Sequence, residues 1–224
     1  AEARRYPTVR GDAEGVLRFD PDLVVAAPFA ARSTVDLLRR LQRPVLVIEP
    51  GQDVEGFKRA IRQLAGAVDA AARGEEVIAA LDTRLSAFMT GPARRSEPPA
   101  ALVINFGGLP SGAGSLADVA LRLAGYRNAV ADYVTNAAGS IPLEAIVARP
   151  PDLMVLGQDP GDYRTVRADN LRHPAFTALL RTVPHAALPQ RLTLCATPAV
   201  AQAVEMLAAQ RPAAQRRLDG RRRR

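Results

Sequence analysis

Two kinds of apolar pattern alternate near the start of the chain. Leu23–Ala27 and Val45–Ile48 are short continuous apolar runs, which are typical of buried parallel strands. Between them, Thr34–Leu41 carries apolar residues at the spacing of one helix face. This order predicts a β-α-β unit.

A second, longer strand and helix series follows a Pro- and Gly-rich stretch that ends at Pro99. The predicted strands are Ala101–Asn105, Leu153–Leu156 and a short apolar piece at Leu192–Cys195. The predicted helices are Leu116–Leu123, Leu143–Ala148, Ala175–Arg181 and Ala199–Ala209. Such alternation predicts an α/β fold with mostly parallel sheets, here as two Rossmann-like lobes.

The two series are joined by a helix-forming stretch from Val54 to about Met89, which we expect to be interrupted near Arg73 and Gly74. A single helix over Glu75–Met89 would link the lobes. The predicted divisions are an N-terminal lobe at 1–73, a linker helix and connection at 74–97, a C-terminal lobe at 98–210 and a disordered basic tail at 211–224.

Composition and charge argue against two classes of protein, those that span a membrane and those that bind nucleic acid. The chain has 224 residues, of which 48% are hydrophobic and 24% charged, with one Cys and no Trp. It lacks an apolar run long enough to cross a bilayer, so we do not expect it to span a membrane. The formal charge of +7 is concentrated in the tail, which holds seven Arg against Asp219, and aromatic residues make up only 4%. We therefore expect no nucleic-acid partner.

An internal repeat is the most informative feature of the sequence. Glu14 and Glu144 are each followed, after six residues, by Pro-Asp-Leu and an apolar run. Each Glu is expected in the first turn of a short helix, where it complements the helix dipole. A matched pair also suggests two equivalent acidic groups that dock a pseudo-symmetric or dimeric basic partner.

Several motifs together resemble the periplasmic substrate-binding proteins of ABC importers for vitamin B12, haem and ferric siderophores. They are AEGVLRFDPDLVV, RRLQRPVLVIEP, SGAGSLADVALRLAGYRNAV, IPLEAIVARPPDLMVLG and LRHPAFTALLRTVPHAALPQRLTLC. The resemblance implies a periplasmic monomer of two lobes joined by one long helix, with the ligand between them and no catalytic chemistry. It also implies that Glu14 and Glu144 engage arginines of a dimeric ABC permease.

The candidate ligand-binding residues are divided between the lobes. The resemblance places Phe106, Leu109 and Ser111 at the cleft, and Arg191 at a ligand contact. Ligands in open α/β sheets bind beyond the carboxyl ends of strands, which adds Phe29 and Arg32. The remaining candidates lie ahead of the two glutamates: Tyr6 and Thr8 before Glu14, and Tyr133 and Asn136 before Glu144.

The expected solute is an iron chelate such as a ferric siderophore, haem or cobalamin. Arg32 and Arg191 could pair with a carboxylate of such a ligand. Relatives that bind cobalamin surround the corrin with Trp, which this chain lacks, so an iron chelate or another tetrapyrrole is favoured. We expect no cofactor and no bare metal site, because His173, His185 and Cys195 lack partners at ligand spacing.

Other interpretations remain open. The glycine-rich Phe106–Ser115 loop follows a strand and precedes a helix, so the chain could be a nucleotide-dependent α/β enzyme or regulator. The C-terminal lobe opens with a strand, loop and helix that has no counterpart ahead of the first lobe. This difference predicts a missing β-α-β opening of about 30 residues, together with a leader, or a degenerate fragment folded only in its second lobe.

Overall fold

The computed structural model describes residues 5–9, 11–28, 30, 32–49, 51, 53–90, 97–105, 109–135, 139–157, 173–194 and 197–223. Its helices are α1 (Ala13–Leu17), α2 (Arg32–Arg40), α3 (Val54–Ala67), α4 (Ala71–Thr90), α5 (Leu116–Leu123), α6 (Leu143–Ala148), α7 (Pro174–Thr182) and α8 (Val200–Arg222). Its strands are β1 (Val24–Ala26), β2 (Val45–Val47), β3 (Ala100–Ile104), β4 (Arg127–Asn128), β5 (Leu153–Leu156) and β6 (His185–Ala187). Two 3-10 helices cover Ala129–Asp132 and Gln190–Leu192.

The strands form two parallel sheets. In the N-terminal lobe, here called lobe one, β1 pairs with β2. In the C-terminal lobe, here called lobe two, the strand order is β4-β3-β5-β6. Parallel neighbours need crossover connections, which the helices between the strands supply. The predicted α/β fold class is confirmed, whereas the exact domain boundaries stay predictions.

The lobe-two sheet is buried on both faces. All five residues of β3 and all four of β5 are buried. Successive side chains point to opposite faces, so Val103 and Val155 join one core cluster while Leu102 and Met154 join the other. The first cluster also contains residues of α3, α4, α5 and α8, and the second contains residues of α6 and α7.

The linker is a helical hairpin, and its break lies elsewhere than predicted. The chain turns at Val68–Ala70, where Asp69 has a φ of 52°, and α4 continues through Arg73 and Gly74. Gly74 allows close packing of the two helices, because a Cβ there would lie 2.6 Å from the Ala65 Cβ. The 20 residues of α4 span about 30 Å.

Ion pairs fix α4 in place on both sides. Arg62 on α3 binds Glu75 through Nε and Nη2, at 2.7 and 3.0 Å from its two carboxylate oxygens. Arg84 binds Glu205 on α8 in the same bidentate manner, at 2.9 and 2.8 Å. This hydrogen bonding lowers the pKa of both glutamates and raises that of both arginines.

The final strand lies earlier in the chain than predicted. It covers His185–Ala187, whereas Leu192 is buried in the 3-10 helix Gln190–Leu192. Cys195 lies outside the described residues. The apolar pattern did not predict β6, because His185, Ala186 and Ala187 are weakly apolar. β6 is also an edge strand in which two of the three residues are exposed.

The basic tail is helical rather than disordered. The final helix does not end at Ala209 but runs on to Arg222, through Pro212. Ala214 and Leu218 are buried, at 0% and 7% exposure. Arg217 donates to the carbonyls of Pro151 and Thr182, at 3.1 and 2.9 Å.

Two further arginines of the tail hold the same end of lobe two. Arg221 donates to the Pro150 carbonyl at 2.8 Å and lies 3.3 Å from the Asp152 carboxylate. Arg222 pairs with Glu97. Arg217 and Arg221 therefore bind the segment that leads into β5. The run of arginines in the sequence could not predict these contacts.

Replacement of Leu218 by Ala should lower the free energy of unfolding by about 2 kcal/mol, because it leaves a cavity under the tail. Arg216→Ala, at an exposed position of the same helix, should change it by less than about 0.5 kcal/mol. Urea denaturation followed by circular dichroism measures both. Equal effects of the two changes would contradict a packed tail.

Candidate functional site

The carboxyl edge of the lobe-two sheet gathers several predicted residues. Since β3, β5 and β6 are parallel, the segments that follow them leave from one edge. Leu109 and Ser111 come after β3, and Arg191 comes after β6 in an exposed position. Ligands of open α/β sheets bind at this kind of edge.

The loop after β3 folds back onto its own strand. The Asn105 N–H donates to the Leu109 carbonyl at 2.7 Å, and the Ser111 N–H donates to the Val103 carbonyl at 3.0 Å. Ser111 is only 5% exposed, and its hydroxyl accepts from the Asn105 amide at 2.5 Å. The Ser111 side chain is therefore part of the support of the loop, while Leu109 is half-buried.

A buried acid completes this support. Asp118 is 6% exposed and accepts from the Gly114 N–H at 3.1 Å and from the Asn128 amide at 3.1 Å. The same Asn128 amide donates to the Ser111 carbonyl at 2.9 Å. The network links β4, the loop and the first turn of α5.

At the start of α5, the Asp118 N–H already has a hydrogen-bond partner within the chain. Ser115 is its N-cap, and the Ser115 hydroxyl accepts from the Asp118 N–H at 3.1 Å. The Asp118 carboxylate supplies the negative charge that a helix N-terminus favours. A phosphate bound there would meet this carboxylate, so the described part of the loop is poorly suited to nucleotide.

Tyr133 of lobe two is held by its neighbours. Its hydroxyl donates to the Arg149 carbonyl at 2.6 Å, and burial raises its pKa to about 12. Tyr133, Val134 and Pro142 help line a groove of about 580 Å³ along α6. Val134 is 85% exposed there. The Tyr133 hydroxyl is thus engaged within the protein, and only its ring is available to a ligand.

In lobe one, Tyr6, Thr8 and Arg32 are exposed. Tyr6 is 69% exposed and lines a groove of about 500 Å³ that runs along β1. Arg32 is the first residue of α2, close to the carboxyl end of β1. Three predicted residues, Phe29, Phe106 and Asn136, lie outside the described residues.

Sequence reasoning missed a polar groove of about 630 Å³ at the carboxyl end of β2. Glu49, Asp53, Arg59 and Gln63 line it with the start of α3. Gly51 lies against Gly56 there, since a Cβ on Gly51 would come 2.5 Å from the Gly56 Cα. Three features of the sequence could have predicted this groove. They are the apolar run of β2, the Pro50-Gly51 pair and Asp53, which caps α3.

Both predicted docking glutamates are exposed in first turns of short helices. Glu14 lies in α1 and Glu144 in α6, so the internal repeat has the same local structure in both lobes. Glu14 lies 3.2 Å from Arg18, an exposed pair. Glu144 has no ion-pair partner among the described residues.

The described part of the chain has neither a metal-binding cluster nor a membrane-spanning helix. Its His, Cys, Asp and Glu residues form no group of three that could hold a metal ion. Its helices include none that is both long and apolar enough to cross a bilayer.

A family model described as "Periplasmic binding protein" matches residues 5–182. By sequence, no curated protein is similar to the chain.

Solved structures share the fold. The apo form of the periplasmic heme-binding protein RhuT from Roseiflexus sp. RS-1 has a TM-score of 0.72 and 25% identity over 91% of this chain and 81% of its own. The periplasmic heme-binding protein HutB of Vibrio cholerae has a TM-score of 0.70 and 16% identity, covering 93% and 85%. An ABC-type Fe3+-hydroxamate transport protein from Saccharomonospora viridis DSM 43017 has a TM-score of 0.64 and 21% identity, covering 91% and 72%.

Asn128→Ala should destabilise the protein by about 2 kcal/mol, because it removes the amide that donates to both the buried Asp118 carboxylate and the Ser111 carbonyl. Gln202→Ala, which removes an exposed amide from α8, is the matched control and should be nearly neutral. Thermal or urea unfolding measures both. A neutral Asn128→Ala would show that the network does not support the loop.

Proposed function

Because the chain belongs to the periplasmic binding protein family, we propose that it is the solute-binding component of an ABC importer and that its solute is haem. In this proposal the protein captures the iron porphyrin in the periplasm and delivers it to the permease without chemical change. Ferric siderophores and cobalamin are the other solutes of the same class that the binding test includes.

The observation that carries the proposal is a set of exposed side chains on both lobes whose chemistry suits haem. Arg32 follows the carboxyl end of β1, and Arg191 follows that of β6. Guanidinium groups bind carboxylates in bidentate geometry, and haem carries two propionates. Tyr6 adds an exposed phenol, a group that ligates haem iron in other proteins.

The solved structures support the same choice. The two heme-binding neighbours described above have TM-scores of 0.72 and 0.70, against 0.64 for the Fe3+-hydroxamate protein. The resemblance disfavours cobalamin, because relatives that bind it surround the corrin with Trp and this chain has no Trp.

The rival, a nucleotide-dependent enzyme or regulator, is less well supported. The start of α5 is occupied by Ser115 and Asp118, as described above. A phosphate at that position would have to displace Asp118 from the Gly114 N–H and from its ion pair with Arg122. ATP therefore serves as the control ligand.

The helical linker suits a binding protein whose lobes move little. The bidentate pairs of α4 with α3 and α8 tie the linker to its neighbours. A modest closure of the lobes on the solute would then change the relative position of α1 and α6, the two helices that carry the docking glutamates.

Haemin should form a saturable one-to-one complex with the chain, measured by native mass spectrometry and absorbance titration. Arg191→Gln should weaken haemin binding about 10-fold, the equivalent of one charged hydrogen bond. It should leave the affinity for haemin dimethyl ester unchanged, because the ester lacks free carboxylates.

Arg181→Gln, at an exposed position on α7, is the control for charge alone. Complexes with a ferric siderophore or cobalamin, but not haemin, would contradict the choice of haem. Binding of ATP alone would contradict a solute-binding role.

We expect Glu14 and Glu144 to dock the permease. The double replacement Glu14→Ala and Glu144→Ala should abolish stimulation of transporter ATPase activity in proteoliposomes, while haemin affinity stays unchanged. Asp36→Ala, which removes an exposed acid of α2, is the control. Unchanged stimulation by the double variant would rule out this docking role.

A further inference from the structure

The groove of about 580 Å³ in lobe two lies between α6 and residues 132–135. Ala145 and Ala148 of α6 line it on the helix side. Leu143 and Ile146 are the buried residues of the same helix, so the groove and the core lie on different sides of α6. The groove is therefore a surface feature beside a helix whose core face is already packed.

The polar groups around this groove are bonded to each other within lobe two. Arg127 donates to both carboxylate oxygens of Asp132, at 2.9 and 2.7 Å. The Tyr133 hydroxyl donates to the Arg149 carbonyl at 2.6 Å, and the Arg149 guanidinium donates to the Asp132 carbonyl at 3.5 Å. What the groove offers to a partner is mainly carbon surface, which includes the 85% exposed Val134. Exposed apolar surface of this kind, rimmed by polar groups, is typical of an interaction site.

Glu144 lies at the rim of the groove. It precedes Ala148 by four residues, which places the two side chains one turn apart on the same face of α6. Glu144 is exposed and forms no ion pair with another described residue. This surface thus combines a negative charge with an adjacent apolar groove. Its complement is a basic group that stands next to an aliphatic side chain.

The equivalent position in lobe one is different. The internal repeat equates Glu14 with Glu144 and Arg18 with Ala148. Arg18 Nη2 lies 3.2 Å from the Glu14 carboxylate, and both side chains are exposed. Lobe one therefore has a long, charged side chain where lobe two has a methyl group beside a groove. Because an exposed ion pair is weak, Glu14 can still exchange Arg18 for a basic group of a partner.

The position and charge of the groove favour a protein partner over the solute. The groove follows α6 to Arg149, ahead of the amino end of β5, whereas Arg191 follows the carboxyl end of β6. The carboxylate of Glu144 would repel the propionates of haem, and it would attract a basic protein surface.

We propose that the groove along α6 receives an aliphatic side chain of the ABC permease, and that this side chain stands next to the basic group bound by Glu144. The inference rests on the proposed docking role and adds an apolar contact to it. Burial of the aliphatic side chain against Val134 strengthens the complex, while Glu144 selects a partner that carries positive charge. Since Arg18 takes the matching place in lobe one, lobe two supplies the stronger of the two contacts.

The affinity for the permease measures the apolar contact. The probe is the permease whose ATPase activity the unaltered chain stimulates, held in nanodiscs, and biolayer interferometry gives the Kd. Val134→Ser should raise this Kd about 10-fold, because the groove loses apolar surface that docking buries. Val68→Ser is the matched control at a 53% exposed valine that ends α3, and should change the Kd less than about 2-fold.

An exchange of residues between the lobes tests the difference between the two docking helices. Ala148→Arg gives lobe two the residue of lobe one, and it should raise the Kd about 10-fold, because the guanidinium pairs with Glu144 and crosses the groove. Ala178→Arg, at an exposed position of α7, is the control for the added charge. The reciprocal change, Arg18→Ala, should not raise the Kd, because it removes only an exposed ion pair.

The outcomes separate the groove from the docking role and from the solute site. Kd values of Val134→Ser and Ala148→Arg equal to those of their controls would overturn the groove, and a loss of binding in the double glutamate variant would still support docking. Weaker haemin binding by Val134→Ser would overturn it in favour of the solute. A dimer that Val134→Ser disperses in analytical ultracentrifugation would overturn it in favour of a second copy. An unaltered chain that binds no ABC permease would contradict the proposed function and the groove together.

Discussion

Burial of both faces of the four-stranded sheet is the constraint on which the rest of the molecule depends. β3 and β5 are apolar at every position, so helices must cover each side. The helices α5, α8 and the α3–α4 hairpin meet one face, and α6 and α7 meet the other. With both faces covered, the carboxyl edge is left to the loops that carry Leu109, Ser111 and Arg191.

The same constraint explains the two ends of the chain. Residues beyond Ala209 remain helical because Ala214 joins the core on the covered face, and because Arg217 donates to the Pro151 carbonyl ahead of β5. In lobe one, β1 pairs with β2 alone among the described residues, and Val25 is 50% exposed, whereas its counterpart Val155 is buried. The same sequence module therefore has two different environments in the two lobes.

Polar side chains support the described part of the loop after β3 from inside lobe two. Asp118, Asn128 and Asn105 direct their polar groups inward to the loop after β3, which fixes its shape. Arg32 and Arg191 are exposed near the carboxyl ends of β1 and β6, and Tyr6 is exposed ahead of α1. In the proposed function these groups hold haem, which the protein delivers without chemical change.

The sequence by itself determined the α/β class, the internal repeat and most strand and helix positions, because apolar periodicity and the Pro-Asp-Leu motif act locally. It also placed Glu14 and Glu144 correctly in first turns. Only the tertiary structure decided the hairpin turn at Asp69, the helical tail and the place of β6, since these depend on contacts with Ala65, the start of β5 and the neighbouring strand. For the same reason, only the fold showed that the Ser111 and Tyr133 hydroxyls are engaged internally.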